Sequence, residues 1–149
     1  MTEKTIAQIL RADGFYVSTT SGSSMRPMLR DRRDRVIFCA VKEGQRLKKW
    51  DLPLYLAPDG RYILHRIIGV TKDGYITRGD NTYRKERVPR EWVLGYVTEF
   101  YRGKRHVFAD SRWYRLYAAF WNLIYPVRFL VQKVRCFAVA VGRRLLHRE

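Results

Sequence analysis

The sequence predicts a mainly β protein, with an antiparallel β body over residues 15–110, a short N-terminal helix within 1–14 and C-terminal amphipathic helices over 111–149. Three observations carry that division. Apolar residues keep helical spacing before Gly14, and from Phe15 they change to a period of two or to short runs of Val, Ile, Tyr and Phe. After Asp110 long aromatic, helix-like runs take over. A chain of 149 residues suits one core-bearing domain with a small appendage.

Thr5 and Gln8 have the spacing of a capping box, Ile6, Ile9 and Leu10 can share one face, and Gly14 is placed to end the helix. Strands are predicted at 15–20, 34–42, 52–57, 61–71, 74–78 and 92–108, with turns at Pro58-Asp59-Gly60 and Asp73-Gly74. Pro53 inside a strand implies an edge position or a bulge.

Thirty Lys and Arg against 14 Asp and Glu leave a formal charge of +16, which calls for an anionic partner or surface. The 14 residues before the β body are too few for a helix-turn-helix, so nucleic acid is not the expected partner. Cys39 and Cys136 form neither a disulfide framework nor a metal pattern, and they read as buried free thiols with no metal or cofactor expected. Thr5–Leu10, bounded by Lys4 and Arg11, is too short for a signal-peptide core or a spanning helix.

Residues 111–149 hold eight Lys and Arg and one acid, yet Leu116–Val127 is a run of twelve without charge. Pro126 should kink or divide two helices, and Arg128, Gln132 and Arg135 fall on one helical face. Each apolar piece is shorter than the roughly 20 residues that span a bilayer. Cations beside Trp, Tyr, Phe and Leu point to peripheral or re-entrant association with an anionic membrane through 111–149, with packing on the β body or on a second copy as the alternative.

Chemistry centres on Gly22-Ser23-Ser24-Met25-Arg26-Pro27-Met28-Leu29, which lies between the strand-like Phe15–Thr19 and the charged turn Arg30–Asp34. A serine hydroxyl needs a base to take its proton and donors to hold the oxyanion. Of three histidines, His106 sits in a Lys/Arg-rich stretch and His147 in the basic tail. His65 lies within an apolar run, where strict alternation puts it with Ile63 and Ile67 and puts Arg66 with Leu64 and Ile68. His65 is the natural general base, and Asp80 of Arg78-Gly79-Asp80-Asn81 offers a carboxylate to orient it. Taken singly, His65 also reads as a structural histidine and Gly79-Asp80-Asn81 as an ordinary turn.

Together, Ser24-Met25-Arg26-Pro27, Leu64-His65-Arg66-Ile67-Ile68-Gly69-Val70 and Arg78-Gly79-Asp80-Asn81 resemble, in order and spacing, the type I signal peptidases, in the branch with a serine/histidine pair. Val93-Leu94-Gly95-Tyr96-Val97 resembles the strand that follows there, so the likeness spans about residues 15–100. The resemblance implies a coiled antiparallel β body and a serine endopeptidase that cleaves an extended leader or preprotein segment after a small residue. Ser24 would be the nucleophile, His65 the general base and then acid, and Asp80 a supporting residue. The Ser24 amide would help to form the oxyanion hole, with Ser23 a further contributor, while Met25 and Pro27 would shape the backbone and pocket.

Two features depart from that pattern. Gly22 stands where many members carry a hydroxyl for the oxyanion, which is closer to the self-cleaving repressors of the LexA type with their lysine base. The 23 residues before Ser24 also hold no spanning helix of the kind such enzymes usually place there. A LexA-like regulatory relative and a scaffold that binds a peptide without cutting it are the alternatives.

Overall fold

The computed structural model describes residues 4–146, with side chains through Arg143. Helix α1 (Ile6–Asp13) opens with the predicted capping box: the Thr5 hydroxyl accepts from the Gln8 N–H at 3.3 Å and the Gln8 side chain accepts from the Thr5 N–H at 2.8 Å. Gly14, at φ 77°, ends it in the left-handed conformation that glycine adopts without steric cost. Leu10 is the residue this helix buries in the core.

The β body follows as β1 (Phe15–Thr19), β2 (Arg35–Ala40), β3 (Pro53–Leu56), β4 (Tyr62–Leu64), β5 (Arg66–Val70), β6 (Gly74–Arg78), β7 (Glu86–Pro89), β8 (Val93–Arg102) and β9 (Arg105–Phe108). A curled antiparallel sheet runs in the order β1-β2-β8-β3-β4, with β9 also paired to β8, and a second sheet runs β5-β6-β7. The fold is mainly β, as predicted.

Three details differ from the sequence expectation, and a fourth, at Pro53, decides between two alternatives. The strand expected at 61–71 is broken at His65, because Leu64 pairs with Leu54 in the first sheet while Arg66 pairs with Arg78 in the second. Strict alternation through His65 therefore does not hold: the chain changes sheets there. The strand expected at 92–108 divides into β8 and β9 about Gly103, whose φ is 64°. Of the two placements expected for Pro53, the edge does not hold, since β3 lies between β8 and β4, and the irregularity does: Pro53 takes the first strand position, with a register shift against β8 after Leu54. Strand β7 was not foreseen, because only its pairing with β6 sets it in a sheet.

One buried cluster includes Leu10, Met25, Leu29, Val36, Phe38 and Phe100, and a smaller one gathers Leu47, Ile67 and Tyr75. The first joins helix α1, the turn around Ser24 and the large sheet, so the turn is part of the core.

Helix α2 (Arg112–Leu123) is capped by Ser111, whose hydroxyl accepts from the Tyr114 N–H at 3.4 Å, and it buries Tyr114 and Ala118. Helix α3 (Tyr125–Leu146) follows a break at Ile124, with Pro126 in the first turn, where its missing N–H disturbs no helical bond. Among the described residues no helix is long and apolar enough to cross a membrane. Cys136 is exposed and Cys39 half-buried, so neither thiol is fully buried as the sequence suggested.

Candidate active site

Ser24 lies in the turn between β1 and β2, which is pinned from inside and closed at its ends. Met25, Met28 and Leu29 bury their side chains, and the Leu29 N–H donates to the Met25 carbonyl at 3.0 Å. Beyond them, buried Asp34 accepts from the Arg30 backbone N–H and from its guanidinium Nη2, each at 2.7 Å. Hydrophobic anchoring and this ion pair together fix a loop that composition alone would leave mobile.

At Gly22 the backbone has φ 94° and its N–H donates to Asp31 Oδ1 at 2.8 Å. A Cβ would meet nothing within 4 Å, so backbone conformation, and not space, requires glycine. That is the physical reason no hydroxyl residue stands at this position. The Ser24 N–H donates to no protein acceptor among the described residues.

A cavity of about 440 Å³ is lined by Ser24, Met25, His65 and Glu86, with walls from β1 and from the segment Arg61–Leu64. Among the described residues no hydrogen bond joins the Ser24 hydroxyl to the imidazole, and the two groups line one cavity. His65 Nδ1 is 3.3 Å from Glu86 Oε2 and 3.4 Å from the Tyr55 hydroxyl. The Tyr55 hydroxyl donates to the same Glu86 oxygen at 2.5 Å and lies 3.3 Å from the Thr77 hydroxyl. With Nδ1 engaged by this group, Nε2 is the ring nitrogen left to exchange a proton.

Burial pushes the His65 pKa below its ordinary value of 6.5, while the Glu86 carboxylate opposes that shift by favouring the charged ring. A neutral imidazole at physiological pH is the form a general base requires. Burial, reinforced by Glu86, pushes the Tyr55 phenol upward, so Tyr55 keeps its proton and remains a donor.

Among the described residues Asp80 makes no hydrogen bond or ion pair with the imidazole, so it does not orient the ring as the sequence reading expected. Its charge favours the protonated ring less than that of Glu86 does. The two Asp80 oxygens accept from Arg66 Nε and Nη2, each at 2.7 Å, and both side chains are buried. Arg66 also donates to the Tyr114 hydroxyl at 2.7 Å and lies against Met28 Sδ at 3.0 Å. Its guanidinium thus ties β5 to α2, to the turn carrying Ser24 and to Asp80. The carboxylate beside His65 is Glu86, which sequence reasoning missed because its position depends on Thr77 pairing with Glu86 across β6 and β7.

The Gly79-Asp80-Asn81 segment instead supports Ser24 through its backbone. The Asn81 N–H donates to the Ser24 carbonyl at 2.8 Å, and Asn81 Nδ2 donates to the Ser23 carbonyl at 3.2 Å. A Cβ on Gly79 would lie 2.7 Å from the Ser24 carbonyl oxygen, so only glycine permits this approach.

From the outer side, the junction of α2 and α3 holds the same segment. Trp121 Nε1 and Arg128 Nη2 both donate to the Asp80 carbonyl, at 2.9 and 2.7 Å, and the Arg128 guanidinium lies 3.7 Å from the Trp121 ring centre. Arg78 sits over Tyr125 at 3.4 Å and donates to Asn122 Oδ1 at 2.8 Å.

The remaining sequence-selected residues separate. Ser23 is exposed and does not line the Ser24 cavity, whereas Ser21 and Gly22 do. Pro27, after a cis peptide bond, faces a different groove shared with Arg128 and Arg135 of α3. His106 pairs with Glu99 on the β8–β9 hairpin, away from Ser24, and His147 lies outside the described residues. Among the described residues no three His, Cys, Asp or Glu side chains are gathered for a metal ion. The chain matches no protein-family model and no curated protein at significant similarity.

Proposed function

We propose that the protein is a serine endopeptidase of signal-peptidase type, acting on an extended leader or preprotein segment and cutting after a small residue. The observation that carries this reading is the shared cavity of Ser24, His65 and Glu86, with His65 Nδ1 held against Glu86. The likeness of the Ser24, His65 and Asp80 motifs to that family supplies the substrate class.

In this mechanism His65 Nε2 takes the Ser24 proton as Oγ attacks the scissile carbonyl, forming a tetrahedral oxyanion near the Ser24 N–H. Glu86 stabilises the imidazolium and Tyr55 steadies Glu86. The imidazolium then protonates the leaving amine, and an ester to Ser24 remains. Water, deprotonated by the same nitrogen, attacks the ester, and Ser24 recovers its proton as the new carboxylate leaves. Asp80 and Arg66 act as positioning residues outside this proton path.

The test is labelling with a fluorophosphonate probe alongside peptide cleavage. Wild type should be labelled at Ser24, while Ser24→Ala and His65→Ala should lose both labelling and cleavage with their melting temperature retained. Undiminished proteolysis by purified Ser24→Ala would falsify the assignment. A wild type that binds the peptide yet is neither labelled nor active would make the cavity a peptide-binding scaffold.

A further inference from the structure

We propose that α2 and α3 dock the protein on an anionic lipid bilayer, lying in the interface with one apolar face buried among the acyl chains. Exposed apolar residues on α2 are Trp113, Leu116, Phe120 and Leu123, and on α3 the row continues as Val127, Leu130, Val134, Phe137 and Val141, while Phe129, Val131 and Val139 are exposed off the row. Spacing along the row alternates three and four without interruption across the break at Ile124. Each residue of the row is between 40% and 83% exposed, so the β body covers none of them fully. Two near-consecutive helices therefore present a single apolar stripe, roughly 40 Å long at 1.5 Å per residue.

Charge selects the occupant of this stripe. No acid occurs from Ser111 to His147, and Lys133 and Arg135 flank Val134, about 100° around the helix on either side. Arg112 and Arg143 stand near the two ends. A second copy would bring the same acid-free basic surface against itself. The positions beside the stripe, such as Val131, Ala138 and Ala140, carry no acid to pair with those cations, unlike the flanks that hold a coiled coil together. An anionic bilayer satisfies both halves of the pattern, because rings and aliphatic groups bury while cations meet headgroups. Neither helix is long and apolar enough to span, so the helices lie flat.

This inference does not rest on the peptidase reading. The full chain is sedimented with sucrose-loaded vesicles of phosphatidylcholine alone or mixed with phosphatidylglycerol. Binding should be at least about tenfold stronger to the mixed vesicles and should weaken as salt rises. Leu123→Asp with Leu130→Asp should weaken it at least about tenfold, and Lys133→Gln with Arg135→Gln should reduce the preference for anionic lipid. All four positions are on the exposed stripe or its flanks, so the melting temperature serves as the control for folding. Equal binding to both vesicle types, or unchanged binding by both double variants, overturns the proposal. So does a dimer in sedimentation equilibrium that Leu123→Asp with Leu130→Asp abolishes while the wild type ignores vesicles.

Discussion

Arg66 grips both oxygens of Asp80 at 2.7 Å inside the core, one residue along the chain from the imidazole that lies against Glu86. Neighbours in sequence thus serve two different carboxylates. Removing one partner of a buried pair leaves an uncompensated charge, so Asp80→Ala should lower unfolding free energy by about 3–5 kcal/mol. Arg66→Met combined with Asp80→Leu should recover much of that loss. Urea denaturation of the two variants checks this, and an Asp80→Ala protein as stable as wild type would refute the keystone role.

Glu86→Gln should behave in the opposite way. It keeps the size of the side chain but removes the charge that stabilises the imidazolium, so kcat should fall by about 10²–10⁴ with little change in stability. Because Glu86 raises the His65 pKa, its removal should also move the acid limb of the pH–rate profile to lower pH. An unchanged kcat would remove Glu86 from the machinery.

The lowered His65 pKa also has a stability consequence. Between the folded value and 6.5 the unfolded chain binds the proton and the folded protein does not, so stability falls as pH drops through that window. Above 6.5 the imidazole is neutral in both states and contributes no slope. Chemical denaturation across pH 5–7 should therefore show a loss that His65→Gln abolishes, and an identical slope in that variant would exclude His65 as its source.

Tyr117 offers a stabilising change. Its hydroxyl is buried without a hydrogen-bond partner among the described residues, and burial pushes its pKa up to about 12. Tyr117→Phe removes that group while keeping the ring against Trp121, 6.1 Å away between centres. Unfolding free energy should rise by about 1 kcal/mol, measured by urea titration. A loss of stability would mean that the hydroxyl is satisfied in solution.

Local patterns made much of the fold legible. Thr5, Gln8 and Gly14 mark the ends of α1 because capping acts over a few residues, and Pro126 lies two residues beyond the observed helix break for the same reason. The site was legible only where its chemistry is local, as in the turn carrying Ser24. Glu86 and Tyr55 reach His65 through strand pairings that no spacing along the chain encodes. Asp80 appeared to be the partner of the histidine because Arg66, which has the prior hold on it, looked like one more cation in a basic sequence. Gly22 needed a backbone angle to explain it.

The change of sheets at His65 makes the proposed base a joint between two bodies. Ser24 leaves the large sheet in the turn after β1 yet is held through its carbonyl by Asn81 after β6, whereas Glu86 belongs to the small sheet. Under the proposed mechanism, the alignment of Ser24, His65 and Glu86 then depends on how the two sheets meet. A compound wedged into their seam would abolish the proposed activity without occupying the cleft, and would show as inhibition that substrate does not relieve.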